Sequence, residues 1–315
     1  INSVYSREQL SDEFVRASLA TIKIGIDGDL SNISEANKNF GNNFYTYLVQ
    51  LQSLNILELK RHEEFLDALG IEHEKLFPTV WLSDEDERWA DNFFITNNLT
   101  KENTISLFAG AQHHHRLSEN YGNAISAKLN DKDYKIILLG SEADQQINNI
   151  NIANLNLDVI DLTGKTSLRQ SASILKRCCL AIGAETALAH ISCAVETKNI
   201  ILLGGGHFGR FMPYTNLSSI ISFPLNCFGC NWDCMYEVTH CIKNIDSLMI
   251  KEAISKTLSS NSKKIKIFVP QIEYQNENPS KWFDSISNSL EVQIIPIETK
   301  TKINFQDLSM KKNDF

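Results

Sequence analysis

The chain has 315 residues, enough for two domains with separate cores, and 43% hydrophobic with 22% charged residues is a globular composition. Its net charge of −8 leaves no basic stripe for nucleic acid, which is excluded as a partner. No apolar run approaches the roughly 18 residues of a membrane span, so no transmembrane segment is expected.

The polar opening segment starts at Ile1 without a charged-then-apolar leader, and the N-terminal domain is expected to be truncated. Residues 7–20 read as an amphipathic helix and 21–26 as a short strand ending in a glycine turn at Gly25 and Gly28. A long helical stretch is expected over 44–68, where Leu48, Leu51, Leu54, Leu57, Phe65 and Leu66 fall on helical spacings, with Gly70 as C-cap. The segment 77–82 crosses Pro78 and reads as a linker or edge strand, and SDEDERW then starts a helix with its acids at the positive end of the dipole.

From Thr104 the pattern is regular. Strands are expected at 104–108, 134–139, 159–162, 179–182 and 199–203, alternating with helices at 119–129, 168–176 and 186–195 and a short one after residue 139. Alternation of this kind implies a parallel, doubly wound sheet. The domain closes with a helix over 247–258. Two strands, IKIFVPQ and VQIIPIE, flank a helix containing Trp282 and Phe283, and a lysine-rich tail follows. The expected division is 1–85, 86–262 and 263–315, the last as the start of a further α/β segment or a tail.

Residues 182–213 read IGAETALAHISCAVETKNIILLGGGHFGRFMP, which puts an acid, a hydroxyl and a helix N-terminus at the mouth of the sheet. Helix N-termini bind phosphate oxygens, and open α/β sheets bind ligands beyond their strand carboxyl ends. Glu185 and Thr186 are equally well read as a helix cap, and His190 as a packed histidine. The string GGGHFG over 204–209 satisfies G-x-G-x-x-G, but the following RFMP denies it the helix a dinucleotide fingerprint needs. A ligand-facing loop, with Gly206 and Arg210 near phosphate or acceptor, is the reading preferred here. TGKTS lacks the first glycine of a P-loop, because Val159 stands there.

Of seven cysteines, Cys178, Cys179 and Cys193 lie in apolar helical patterns and read as small buried hydrophobes. Cys227, Cys230, Cys234 and Cys241 have the spacing C-x2-C-x3-C-x6-C, which suits a structural zinc or an iron–sulfur cluster; a loop of reduced thiols is the alternative. His113, His114 and His115 form a solvated or phosphate-facing loop rather than a ligand set. The acidic runs at 84–86 and 131–133 mimic D-x-D but read as a helix start and a turn.

LTGKTSLRQSASILKRCCLAIGAETALAHISCAV, with ISLFAGAQHHHR upstream and NIILLGGGHFGRFMPY downstream, resembles glycosyltransferase family nine, the ADP-heptose:lipopolysaccharide heptosyltransferases and their relatives. The resemblance covers roughly residues 1–258, is most specific over 105–245, and includes KRHEEFLDALGI at the end of the N-terminal domain. It implies an α/β GT-B-like fold of two Rossmann-like domains with parallel sheets. It also implies inverting transfer, without a catalytic metal, of a heptose or related sugar from a nucleotide-sugar donor (an ADP-sugar favoured). The acceptor is a glycan or lipid-linked glycan of lipopolysaccharide type. Cysteines without a secretory signal point to a reducing cytoplasm, and a peripheral place at the inner membrane face is expected.

Carried over by position, Glu185, Thr186, Ala187 and His190 correspond to the family's Asp-Thr-Gly-x-x-His, the acid holding sugar hydroxyls and the helix start meeting the diphosphate. Arg116 stands for a lysine that neutralises the diphosphate, on a loop that begins at Gly110 and includes Gln112. Asp144, with Glu142 nearby, matches a ribose-binding carboxylate, and Thr166 lies in the stretch that covers the base. Glu185 is longer than the family aspartate, Ala187 replaces glycine, and the hydroxyls before Arg116 are lost, so the donor is expected to differ from ADP-heptose. The family's catalytic base belongs to an N-terminal loop not found in this sequence, and the fragment alone is not expected to be fully competent. A non-catalytic nucleotide-sugar-binding module and a sugar-nucleotide epimerase remain open beside transfer.

Overall fold

A computed structural model of the chain describes residues 1–3, 5–51, 57–129, 133–260, 264–272, 283 and 291–301. The expected helix around Trp282, the tail beyond 301 and the acidic turn at 131–132 lie outside these residues. The chain divides into two compact units: Ile1–Phe77 with Gly209–Phe211, and Pro78–Phe208 with Met212–Phe315. The division falls at Pro78, a few residues before the sequence places it.

Unit 1 contains α1 (Gln9–Ala17), β1 (Ile24–Ile26), α2 (Glu35–Asn42), β2 (Tyr47–Val49) and α3 (Glu58–Ala68). β1 and β2 pair in parallel, Ile24 opposite Tyr47 and Ile26 opposite Val49, and Asn2 and Ser6 bridge in parallel to Gly25 and Asp29. Its small core is Tyr5, Ile26, Val49 and Phe65. Arg7 is fully buried but fully occupied: both carboxylate oxygens of Asp12 accept from Nε and Nη2, and Nη1 donates to Asn42 Oδ1 and the Asp27 carbonyl. Tyr45 donates to the same Asp12 at 2.7 Å, so the buried charge is paired and hydrogen-bonded, as burial of a charge requires.

The long helix expected over 44–68 is corrected here. Tyr47–Val49 is a strand, and only Glu58–Ala68 of that stretch is helical among the described residues. Leucines three apart fit a helix, but pairing with β1 buries Val49, and the aromatic-rich sequence fits a half-buried strand.

Unit 2 carries α4 (Asp84–Thr96), β3 (Thr104–Phe108), α5 (Tyr121–Leu129), β4 (Lys135–Leu138), α6 (Gln145–Ile152), β5 (Asp158–Asp161) and α7 (Leu168–Lys176). It continues with β6 (Leu180–Ala184), α8 (Ala187–Ala194), β7 (Asn199–Leu202), β8 (Ser218–Ile221), α9 (His240–Lys243), α10 (Ser247–Ser259), β9 (Ile265–Pro270) and β10 (Val292–Ile297). Ser83 and Asp86 close a capping box at the start of α4, which is why the acidic run begins a helix there.

The eight strands form one parallel sheet in the order β10-β9-β8-β7-β6-β3-β4-β5. Counting from β3, its first six strands have the doubly wound order 3-2-1-4-5-6, so the chain reverses its direction of travel between β3 and β6. The centre of the sheet is covered on both faces: every residue of β3, β6, β7 and β8 is buried. α10 and α5 pack beside one another over it, with Ile125, Leu129, Ile250 and Ile254 in the core.

The strands expected to open a separate segment at 263 instead extend this sheet. β9 pairs with β8 and β10 with β9, both parallel, which buries Phe268 and Ile297 in the same core. Asp246 fastens the far end. Its Oδ1 caps α10 through the amides of Leu248 and Met249, and its Oδ2 accepts from Thr299 Oγ1 and the Lys300 and Thr301 amides. Asp246→Ala is therefore expected to cost about 2–3 kcal/mol in urea unfolding, from a lost cap and stranded donors, and to speed amide exchange at Lys300 and Thr301. No helix among the described residues is long and apolar enough to cross a membrane.

Candidate functional site

The reversal between β3 and β6 opens a crevice at their carboxyl ends, where the loop after Phe108 leaves toward one face and the turn after Ala184 toward the other. A cavity of about 820 Å³ lies there, and Gly110, Gln112, Asp144, Thr166, Thr186 and Ala187 line it. Leu139, Leu168 and Leu188 give it an apolar side.

The helix α8 begins at this cavity with its N-terminus unfilled. Thr186 is the N-cap residue, yet its hydroxyl makes no capping bond and leans to the Ala184 carbonyl at 3.5 Å. Helix geometry leaves the first amides, those of Ala187 and Leu188, without intrahelical acceptors, and the dipole adds positive potential. An anion is the natural complement.

Glu185 directly precedes the N-cap and Arg116 lies close enough to act on it electrostatically, although neither is among the residues that line the cavity. Glu185 is 7% exposed, and neither carboxylate oxygen has a hydrogen-bond partner among the described residues. Burial pushes its acid up to about 8 against the opposing pull of Arg116, so at neutral pH it is mostly a neutral group able to donate and accept. Arg116 closes a short 3-10 turn, His114–Arg116, and its guanidinium lies 4.2 Å over the Trp232 ring. Burial lowers its pKa while Glu185 raises it; a guanidinium stays cationic under such pressure.

Asp144 has a second occupation. Its Oδ2 accepts from both the amide and the hydroxyl of Ser141, closing the turn before α6, and its carboxylate packs over Gly110. A Cβ at Gly110 would overlap that carboxylate. Glu142 is exposed in the same turn, and Thr166 Oγ1 shares a 2.9 Å hydrogen bond with Ser171.

His190 is a packed histidine. Its ring stacks on Tyr214, Nδ1 lies 3.2 Å from the phenol oxygen, and burial lowers its pKa, which keeps it neutral. Arg210 belongs to unit 1, where its guanidinium donates to Glu58 at 3.1 Å and to Ser6 at 2.5 Å. Both partners hold the guanidinium within unit 1. Gly206 packs beneath Trp232 rather than facing the cavity. Trp232, an aromatic between cysteines, and Ser141 in the cavity wall go unmarked in the sequence, while His114 lines the cavity from the histidine loop.

The four cysteines gather but do not form a ligand set. The Cys241 thiol is buried, accepts from the Gly205 amide at 3.4 Å, and is pushed up to about 12 by burial, with the other three thiols adding to the shift. Burial likewise raises Cys227 to about 11. Among the described residues, no three histidine, cysteine or acidic side chains are placed to hold one metal ion. A metal centre of the kind the spacing suits, zinc or an iron–sulfur cluster, is therefore not shown, and Cys241 lies buried beneath the glycine turn.

The model of glycosyltransferase family 9 (heptosyltransferase) matches residues 14–235, about seven-tenths of the chain. The chain belongs to this family. It is accordingly a glycosyltransferase, and the matched span contains every cavity residue named above. No curated protein sequence matches the chain.

Family 9 structures share its fold. The Escherichia coli ADP-heptose lps heptosyltransferase II is 17% identical, covering 76% of this chain and 70% of its own, with a TM-score of 0.57. The glycosyl transferase family 9 protein from Veillonella parvula DSM 2008 is 16% identical over 67% of each chain, with a TM-score of 0.53. The E. coli heptosyltransferase WaaC with ADP is 17% identical, covering 75% of this chain and 66% of its own, at 0.50. The large parallel sheet of unit 2 is the GT-B-like feature of this family 9 chain.

Proposed function

We propose that unit 2 binds the nucleoside diphosphate of a sugar donor in the switch-point cavity, and that the family 9 activity here is inverting transfer of a heptose or related sugar. The observation that carries this reading is the unfilled N-terminus of α8 beside a buried acid with two unpartnered oxygens and a half-buried arginine. The diphosphate lies against Arg116 and the amides of Ala187 and Leu188. Glu185, neutral, exchanges hydrogen bonds with sugar hydroxyls, and the nucleoside rests on the Leu139 and Leu168 side with its ribose toward Asp144. WaaC was solved with ADP, which makes adenine the preferred base.

In the transfer step the acceptor hydroxyl oxygen bonds to the anomeric carbon as the bond to the diphosphate breaks. The electron pair leaves with the phosphate, and the hydroxyl proton passes to a base that we assign to no residue of this chain. Arg116 and the helix amides stabilise the leaving charge electrostatically, so no metal is needed for it. The acceptor is a glycan or lipid-linked glycan of lipopolysaccharide type, reached at the cytoplasmic membrane face. A calorimetric panel of ADP-, GDP- and UDP-sugars tests the reading: an ADP-sugar should bind tightest. Binding of no nucleoside diphosphate sugar would overturn it.

A further inference from the structure

Arg116 ends a short 3-10 turn, and among the described residues its side chain makes no hydrogen bond; Nε is buried without a partner. What holds the guanidinium is the Trp232 ring, 4.2 Å beneath it. The indole is itself fixed from several sides. Its Nε1–H donates to His207 Nδ1 at 3.1 Å, and His207 Nε2–H donates to Asn231 Oδ1 at 2.7 Å, a pair of bonds that sets the histidine's tautomer. The ring of His115 lies 5.2 Å from the indole.

The backbone makes room for this arrangement. A Cβ at Gly204 or at Gly206 would run into the indole, so the glycine turn serves as its seat. The Asn231 amide donates to the Gly206 carbonyl at 3.0 Å. Asn231 and Trp232 both adopt left-handed backbone, with φ of 51° and 65°. That conformation is disfavoured for a bulky side chain and persists only where the surroundings enforce it. A tryptophan that merely filled the core would need neither the strained pair of residues nor the directed hydrogen bond.

We propose that Trp232 is a positioning residue for Arg116: the glycine turn and the cysteine-bearing loop together present an aromatic face that aims the guanidinium at the donor's diphosphate. The inference rests on the donor-site reading above. Cation–π contact on a partly desolvated face supplies the hold without consuming the N–H groups that the phosphates require.

The test is ADP binding by calorimetry to the full chain carrying Trp232→Phe, Trp232→Leu, Arg116→Ala, or Trp232→Leu with Arg116→Ala. Adenosine binding, followed by ligand-detected NMR, serves as the arm without phosphate. Trp232→Leu keeps apolar volume but removes the π face, and should weaken ADP about tenfold. Adenosine should change less than about twofold, Trp232→Phe should restore most of the ADP affinity, and the double variant should bind no worse than Arg116→Ala alone. Unchanged ADP affinity in Trp232→Leu, equal losses for ADP and adenosine, or additive losses in the double variant would each overturn the inference. If Arg116→Ala weakens ADP while Trp232→Leu does not, the positioning role alone fails. If Arg116→Ala leaves ADP untouched, the donor-site reading fails, and this inference with it.

Discussion

Replacing Arg116 with alanine is expected to weaken ADP binding by roughly 30- to 100-fold while leaving thermal stability nearly unchanged. Charge-assisted hydrogen bonds from a guanidinium to phosphate contribute about 1.5–3 kcal/mol each net of solvation, and the half-buried setting places Arg116 near the upper end. In turnover the loss should reach about 10²–10³ in kcat, because negative charge accumulates on the leaving diphosphate in the transition state. Stability is spared because among the described residues the unliganded side chain makes no hydrogen bond, and its Nε is already desolvated without compensation. Arg116→Lys should recover part of the affinity: the charge returns, but the planar fork and its face-on fit to Trp232 do not. Calorimetry for ADP and steady-state kinetics for transfer check the two halves separately.

Glu185→Gln should have the opposite balance, a gain in stability that grows with pH. Burial raises this acid from 4.5 to about 8. Below pH 4.5 folded and unfolded states both hold its proton, so the group costs nothing. Between about 4.5 and about 8 the unfolded state has released the proton and the folded state has not; folding then requires proton uptake, and stability falls by about 1.4 kcal/mol per pH unit. Above about 8 the loss levels off.

The glutamine variant lacks this component and should be more stable at pH 9 by an amount on the order of 5 kcal/mol, and equal to wild type near pH 4. Carboxylates held low, such as Asp246 and Asp161, affect both proteins alike below pH 4, so the difference isolates Glu185. Urea unfolding at pH 5, 7 and 9 measures it; parallel curves for the two proteins would contradict the assignment. ADP affinity in wild type should fall above pH 8, as a carboxylate forms beside the diphosphate, and stay flat in the variant.

Local signals made much of unit 2 readable from its residues. The helix Leu168–Lys176 runs between Ser167, whose hydroxyl caps it, and the strand that follows, and both ends are set by neighbouring residues. The donor half of the site was readable for the same reason: strand end, acid, hydroxyl and helix start occupy consecutive positions from Ala184 to Ala187. Where a fate depends on distant partners, the local pattern misled. Tyr47–Val49 is a strand because β1 lies beside it, although Leu48 and the leucines that follow are spaced for a helix. β9 and β10 follow a break in rhythm, and only pairing with β8 shows that they extend the same sheet. β8 itself begins with two serines, which hid it, although both are buried.

The site's charges follow the same division. Arg116 was visible by position, but its platform comes from a loop far along the chain whose cysteines suggested a metal instead. Arg210 is engaged by Glu58 and Ser6, partners far away in sequence that its glycine-rich setting does not announce. Spacing alone cannot report that Cys241 is turned inward under Gly205.

A crystal structure of the chain with ADP tests the central claim most directly. The diphosphate should lie within hydrogen-bond distance of the Arg116 guanidinium and the amides of Ala187 and Leu188, with adenine against Leu139 and Leu168. ADP bound outside the crevice between β3 and β6, or its phosphates turned away from Arg116 and α8, would contradict the assignment of this cavity as the donor site.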